Sequence, residues 1–459
     1  MTTTAEISAL RDRFSGQVLE PEDPGYDRDR AIFNSMIDKR PAVIAQCANL
    51  PDVLSALAFA RDHKLPISVR SGGHGVAGAA LVDDGLVIDM REINSVIVDP
   101  VARTAVVGGG ATWSDVDRAT TRYGLATTGG RVSTTGVAGL TLGGGSGWVE
   151  RKFGLACDNL LEVEIVTANG QVVTANAKQN PNLFWALHGG GGNFGVATSF
   201  TFQLHEAPAI TMALLFFSPD NGPEVVRRYR DFIATAPDEI GGGIIYLTGP
   251  PEEFVPEHLV GNLTLGMLVT YVGDEASARE VISPLLALQP DGQMIAQVPY
   301  AELQSSLDDP PGYRNYWSVE YLADFPDDAV EKFCDRAYDM VVPSPSQQAL
   351  LPWGGAVARG GMSALADRQA KWAVHPLGLW EDAADDTRGI AWARNLNADM
   401  KSYATGAVYL NFIGDEGAER VVAGFGRDNY RRLAAIKAER DPENVFRQNH
   451  NIAPDAPGD

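Results

Sequence analysis

Val69-Arg70-Ser71-Gly72-Gly73-His74-Gly75 is the stretch on which the reading of this chain turns. It follows on from Leu65-Pro66-Ile67-Ser68-Val69, a short apolar run with β-branched residues that predicts a buried strand. Glycines at a strand end let the backbone come close to a ligand, and successive N–H groups there form an anion-binding nest. Arg70 adds a fixed positive charge suited to phosphate. His74 then stands where a polar ligand would lie. A Gly-Gly pair is also an ordinary turn, so this stretch alone leaves both readings open.

A second dense region lies some way downstream, from Gly129-Gly130-Arg131-Val132-Ser133-Thr134-Thr135-Gly136 through Gly143-Gly144-Gly145-Ser146-Gly147-Trp148. Valine, leucine and tryptophan are interleaved with its glycines and no charge run accompanies them, which argues against a flexible linker. A buried loop wrapped around a large flat ligand fits better. A third cluster, Gly189-Gly190-Gly191-Gly192-Asn193-Phe194-Gly195-Val196, contains a Gly-x-Gly-x-x-Gly pattern. It does not open a helix inside a strand–helix–strand unit, so a nicotinamide-dinucleotide fingerprint is rejected.

Around these clusters the periodicity predicts two kinds of architecture. Ala42–Ala45, a helix over 52–63 and the opening strand form a strand–helix–strand unit with parallel strands. Further strands are expected at 86–90, 95–98 and 104–107, a helix over 112–123, and a hairpin around Asn169-Gly170. From about Pro208 strands (212–217, 244–247, 263–272, 350–358, 371–380) alternate with helices (224–235, 275–288, 327–340, 385–403). Short polar connections there favour antiparallel pairing. A last strand is expected at 407–412 and a last helix at 428–440.

The chain has 459 residues, which favours two domains, and a net charge of -22, which argues against nucleic acid or an anionic membrane surface as partner. Cys47, Cys157 and Cys334 are scattered and odd in number, so neither a disulfide framework nor a metal site is expected. Met1-Thr2-Thr3-Thr4-Ala5-Glu6 lacks the pattern of a secretory leader, and no apolar run is long enough to cross a bilayer. A cytoplasmic location is the expectation.

Taken together, the motifs resemble those of the vanillyl-alcohol-oxidase/PCMH-type flavoproteins, in the berberine-bridge-enzyme-like branch that includes bacterial hydroxynicotine oxidases. The matching pieces are Arg70 to His74, Gly136-x-x-Gly139-x-x-x-Gly143-Gly144-Gly145, Leu183-Phe184-Trp185-Ala186, Gly189 to Gly195, Tyr409-x-Asn411, and Asp441-Pro442-x-Asn444-x-Phe446 with Asn449-x-Asn451. They occur in the family's order. The resemblance implies an α+β fold: a two-part FAD-binding PCMH-type domain with an inserted antiparallel-sheet substrate domain. The expected division is 1–207 for FAD binding, 208–406 for substrate, and 407–459 returning to the FAD part.

The resemblance also implies roles. His74 is bonded covalently to the flavin, a task suited to a neutral imidazole. Arg70, Ser71, Gly72, Gly73 and Gly75 cradle the pyrophosphate. Thr134, Gly136, Gly139, Gly143, Gly144 and Gly147 pack along the cofactor, with Gly192, Gly195, Val196 and Asn449 close to it. Tyr409 and Asn411 reach the ring system. Many family members carry a second link from a cysteine where this chain has Val132. A single tether through His74 is therefore expected. Thr135 stands where the family controls oxygen access, or is simply packed in its loop.

Oxidation at carbon needs a base to accept a proton while the cofactor takes the hydride. Plant relatives place an acid five residues before a tryptophan; here that spacing lands on His375, ahead of Trp380. A buried structural histidine is the competing reading. Tyr409 is the next candidate, and Tyr313, Tyr316 and Trp317 read as core or pocket lining. The expected activity is an FAD-dependent oxidase passing electrons from a small or medium organic molecule (amine, alcohol or sugar, phenolic or polyketide) to molecular oxygen. A flavin-dependent oxygenase or dehydrogenase is the alternative, and a flavin-binding module without turnover is the alternative of another class.

Overall fold

The strand at the head of the opening stretch forms as Ile67–Arg70 and pairs in parallel with Leu86–Asp89, register Arg70 to Asp89. On the other side of Leu86–Asp89 lies Val43–Gln46, also parallel, with Gln17–Leu19 antiparallel at the edge. The expected strand–helix–strand unit is present, with a third strand between its two strands. Its helix, Leu50–Asp62, is capped by Asn49, whose side chain accepts from Asp52 N at 3.0 Å. Val53, Ala56, Leu57 and Ala60 recur at helical spacing and bury against Val43, Ala45 and Ile88.

In the computed structural model residues 4–454 are described; Met1-Thr2-Thr3, read above for a leader, lies outside the described residues. A second sheet, fully antiparallel, runs in the order Val96–Asp99, Thr104–Gly108, Val196–Gln203, Leu160–Val166, Val172–Asn176. The Asn169-Gly170 hairpin closes its edge, with Thr167 N donating to Gln171 O at 2.9 Å.

The third sheet holds eight antiparallel strands between Ile210 and Trp380. Its centre is Ile240–Thr248, Gln347–Pro352 and Trp372–Trp380. Side chains alternate along these strands. Ile244, Tyr246, Leu350 and Val374 face the helices Gly222–Ile233, Asp327–Ala337 and Asp386–Met400. Ile245, Ala349, Leu351, His375 and Leu377 face the other way, toward the glycine loop. The period of two thus turns one sheet into both a core layer and a wall.

Several local expectations are corrected. Residues 407–412 form no strand: the chain is extended at Tyr409 and makes a 3-10 turn at Leu410–Phe412. Apolar alternation there reports burial, and no neighbouring strand offers a ladder. The glycine-rich loop contains a short helix, Val137–Leu142. The strand expected at 350–358 stops at Pro352, before Gly354 and Gly355 at φ +107° and +56°. The helix over 275–288 is broken into Glu275–Val281 and Ser283–Leu286, where Pro284 cannot donate. The strand Gly292–Val298 and the helix Ala418–Phe425, both without strong signals, complete the fold.

The C-terminal tail is pinned by a buried charge. Lys437 Nζ, with no exposed side-chain surface, donates to Asp441 Oδ2 (2.6 Å), Asn193 O (2.7 Å) and Phe446 O (2.9 Å). All three donors of the ammonium are used, which makes the burial tolerable. The tail motif is thereby tied to the third glycine cluster.

Candidate functional site

One cavity of about 340 Å³ runs between the three glycine clusters, the tail and the wall of the large sheet. Its cradle is built by close backbone approach. A Cβ on Gly72 would strike Gly136 N, and one on Gly136 would strike Gly72 N and Ser71 Oγ. Only glycine lets the loops of 71–75 and 134–147 abut. At Gly75 and Gly139 the situation is reversed: nothing lies within 4 Å of an added Cβ, because both face open cavity. Ser68 Oγ, Ser71 Oγ and Asn449 Oδ1 are buried on this lining without a partner. Unsatisfied polar atoms around an open, glycine-walled channel are what a long polar cofactor would complete, so these residues fit FAD.

His74 lies at the mouth of the cradle, stacked on Phe33 with centroids 4.3 Å apart. Its Nε2 is 2.9 Å from Thr134 Oγ1. Burial pulls its pKa down to about 4, so the ring is neutral and nucleophilic at ordinary pH.

Of the residues expected at the cofactor, Ser71, Gly72, Gly73, His74, Gly75, Gly136, Gly139, Gly143, Gly192, Gly195, Asn411 and Asn449 line the cavity, as does Thr135, expected to control oxygen access. Six do not. The Arg70 guanidinium turns away and donates to the carbonyls of Asp29 and, at 2.7 Å, Ala31. Burial lowers its pKa to about 10, still charged, so it braces the Asp29–Ala31 backbone rather than facing a phosphate. Thr134 reaches the site through His74. Gly144 and Gly147 lie behind the lining, packed on Tyr409 and on the Gly129 carbonyl. Val196 is buried in its strand opposite Val166.

Tyr409 is the sixth. Its phenol oxygen accepts from Gly145 N (2.6 Å), Ser146 N (3.0 Å) and Asn411 Nδ2 (3.1 Å). Burial pushes its pKa up. It holds the glycine loop in shape, and the structure gives it a bracing place, not a reacting one. Asn411 continues the brace, donating also to Leu140 O at 3.0 Å while its side chain lines the cavity.

The opposite wall carries the polar chemistry. His375 is buried on the strand Trp372–Trp380; its Nδ1 donates to Ser318 O at 2.7 Å. That carbonyl selects the tautomer, so Nε2 bears the lone pair, and it has no partner. Burial first, then the nearby Arg131 charge, bring its pKa down to about 3, so Nε2 is unprotonated at neutral pH. Arg131 itself is engaged by Ser146 Oγ (2.7 Å) and Glu150 Oε1 (2.8 Å). Trp317 lines the wall with its Nε1 unpaired. Sequence reasoning missed Asp309, Gln347 and His450 in this lining. Asp309 and Gln347 sit in no motif, His450 fills the unspecified middle position of Asn449-x-Asn451, and Gln347 is betrayed only by its even spacing from Ala349 and Leu351. His188 is structural, donating from Nδ1 to Phe184 O at 2.6 Å.

Fold and site together define an FAD-dependent oxidoreductase with a divided, glycine-lined cofactor domain under an antiparallel sheet. Residues 41–176 match the model described as FAD binding domain, and 408–453 the one described as berberine and berberine-like. (R)-6-hydroxynicotine oxidase of Paenarthrobacter nicotinovorans is 32% identical over 452 residues, 96% of this chain and 97% of that protein. The crystal structure of 6-hydroxy-D-nicotine oxidase from Arthrobacter nicotinovorans superposes with a TM-score of 0.85 at 30% identity, covering 96% of this chain and 98% of that one. The BBE-like 1 protein of Physcomitrella patens superposes at 0.89 with 23% identity over 100% of both chains, which speaks for the fold alone. The chain belongs to the berberine-bridge-enzyme-like FAD-linked oxidoreductases. No helix among the described residues is long and apolar enough to cross a membrane.

Proposed function

We propose that this oxidoreductase is an oxidase: it takes a hydride from a small or medium organic substrate and passes the electrons to molecular oxygen, releasing hydrogen peroxide. The observation that carries this is the single cavity in which a glycine cradle and His74 lie on one side and the unpartnered Nε2 of His375 on the other. FAD, when bound, supplies hydride acceptance and electron transfer to oxygen. The chain's residues do the rest. Ser71 to Gly75 and the loop 134–147 position the cofactor, with His74 as its one covalent tether, since Val132 stands where a second would need cysteine. His375 Nε2 accepts the proton from the O–H or N–H beside the carbon being oxidised. Thr135, Asn411 and Trp317 line the space around the reacting groups.

The segment 208–406 is the substrate-binding part, and 407–459 returns to the cofactor part, with Leu410, Asn411, Asn449 and His450 on the cavity lining. Hydroxynicotine is the substrate in the name of a 32% identical relative, which supports a small nitrogen-containing molecule as a first trial substrate here.

Acid precipitation followed by a fluorescence gel tests the tether. Yellow fluorescence stays with the wild-type pellet and is lost in His74→Ala; fluorescence released into the supernatant of wild type overturns it. Stopped-flow reoxidation of the reduced enzyme by oxygen, with a peroxide assay, separates oxidase from dehydrogenase and oxygenase.

A further inference from the structure

We propose that Asp309, held by Gln347, binds a cationic nitrogen, and that the substrates of this enzyme are protonated amines. The inference rests on the oxidase reading above and narrows its substrate class. Gln347 pairs with Leu377 across the ladder, and Ala349 with His375. Residues two apart share a face, so these four form one patch, and all four line the cavity. Asp309 comes from the connection preceding the strand Arg314–Trp317 and lies against that patch, its Oδ1 accepting from Gln347 Nε2 at 3.1 Å. Its side chain is on the cavity lining, yet the residue is only 8% exposed.

The charges around it leave it without a counter-ion. Asp308, its neighbour, is engaged by Ser133 N (2.6 Å) and Ser133 Oγ (2.5 Å) and adds only repulsion. Arg131 is held by Glu150 and Ser146. His375 and His74 on the two walls are neutral, and burial lowers the pKa of His450 on the tail side of the lining. Burial, and then Asp308, push the Asp309 pKa up to about 7. A buried carboxylate with one amide donor lacks the pairing such groups normally have. An ammonium or iminium nitrogen entering the cavity supplies it through a charge-assisted hydrogen bond. His375 Nε2, on the same wall and itself without a partner, offers a second acceptor. The chain's net charge of -22 favours the approach of a cation.

Because the ligand needs the ionised carboxylate, its affinity should rise with pH up to the pKa of Asp309 and level off above it. The test uses holoenzyme under anaerobic conditions, titrated with N,N-dimethylbenzylamine, which stays protonated across the range, and with its uncharged carbon isostere isobutylbenzene. Binding is read from the flavin absorbance. In wild type, the amine's Kd falls by about tenfold per pH unit below the plateau, and the isostere shows no pH dependence. Asp309→Asn weakens the amine at least about tenfold at high pH, flattens its profile and leaves the isostere unchanged. Gln347→Leu keeps the carboxylate but moves the plateau to higher pH, and so carries the test should Asp309→Asn fold poorly.

Amine binding indifferent to pH and to Asp309→Asn overturns the proposal. So does binding that tightens as pH falls, which would make Asp309 a protonated donor to neutral ligands. Photoreduced wild type that oxygen does not reoxidise to give peroxide sinks the oxidase reading instead, and leaves the amine result standing.

Discussion

His375 and Phe412 lie face to face, ring centroids 4.0 Å apart and planes 4° from parallel. The large sheet and the returning C-terminal segment therefore meet at the candidate base. Stacking on Phe412 and the hydrogen bond to the Ser318 carbonyl fix the orientation of the imidazole on the cavity wall.

Replacing this ring by glutamine keeps the volume but removes the proton acceptor. His375→Gln should lower turnover by about 10²- to 10⁴-fold with flavin content unchanged, measured by steady-state peroxide release. The pKa near 3 means that His375 is already deprotonated at neutral pH. No acid limb belonging to it should appear above about pH 5. For stability, the unfolded histidine protonates below about 6.5 while the folded one does not. The native state accordingly loses stability as pH falls below that value, and His375→Gln should lose less. Full turnover in this variant would remove the base assignment.

Tyr409→Phe deletes the acceptor of two buried backbone N–H groups, on Gly145 and Ser146. Leaving buried donors unmet costs about 1–3 kcal/mol. A lower Tm with flavin still bound is the expected outcome, since the phenol shapes the loop without lining the cavity. A variant with wild-type Tm but no turnover would instead make Tyr409 a reacting group.

Gly139 and Gly72 should respond oppositely to a side chain. Gly139→Leu projects into open cavity, so the protein folds with its Tm intact but purifies without yellow colour. Gly72→Ala drives a methyl into Gly136 N, and overpacking of this kind costs about 1–3 kcal/mol. Circular dichroism melts and flavin absorbance separate the two.

Asp309→Asn should stabilise the protein at high pH. The folded carboxyl has its pKa raised to about 7, whereas an unfolded aspartate titrates near about 3.9. As pH rises between those values the unfolded state ionises first, so stability falls through that window and stays lower above it. The variant removes this loss, and its Tm at alkaline pH should exceed wild type by a few degrees while matching it in acid.

Much of this molecule is determined locally. The strand Ile67–Arg70, the capped helix after Asn49 and the Asn169-Gly170 hairpin follow from periodicity and turn chemistry, which act over a few residues. The glycine clusters are legible for the same reason, since at Gly72 and Gly136 close backbone approach admits no other residue. What only the tertiary structure decided is which side chains share the cavity. Arg70 and Tyr409 sit in the strongest motifs, yet they turn to buried carbonyls and to loop N–H groups, because buried polar atoms must be paired wherever the partners happen to lie. Asp309 and Gln347 belong to no motif and meet only because a connecting segment lies against one face of a strand. An aspartate is an ordinary exposed residue until the fold buries it without a cation. That burial gives Asp309 its raised pKa and its reason to bind one.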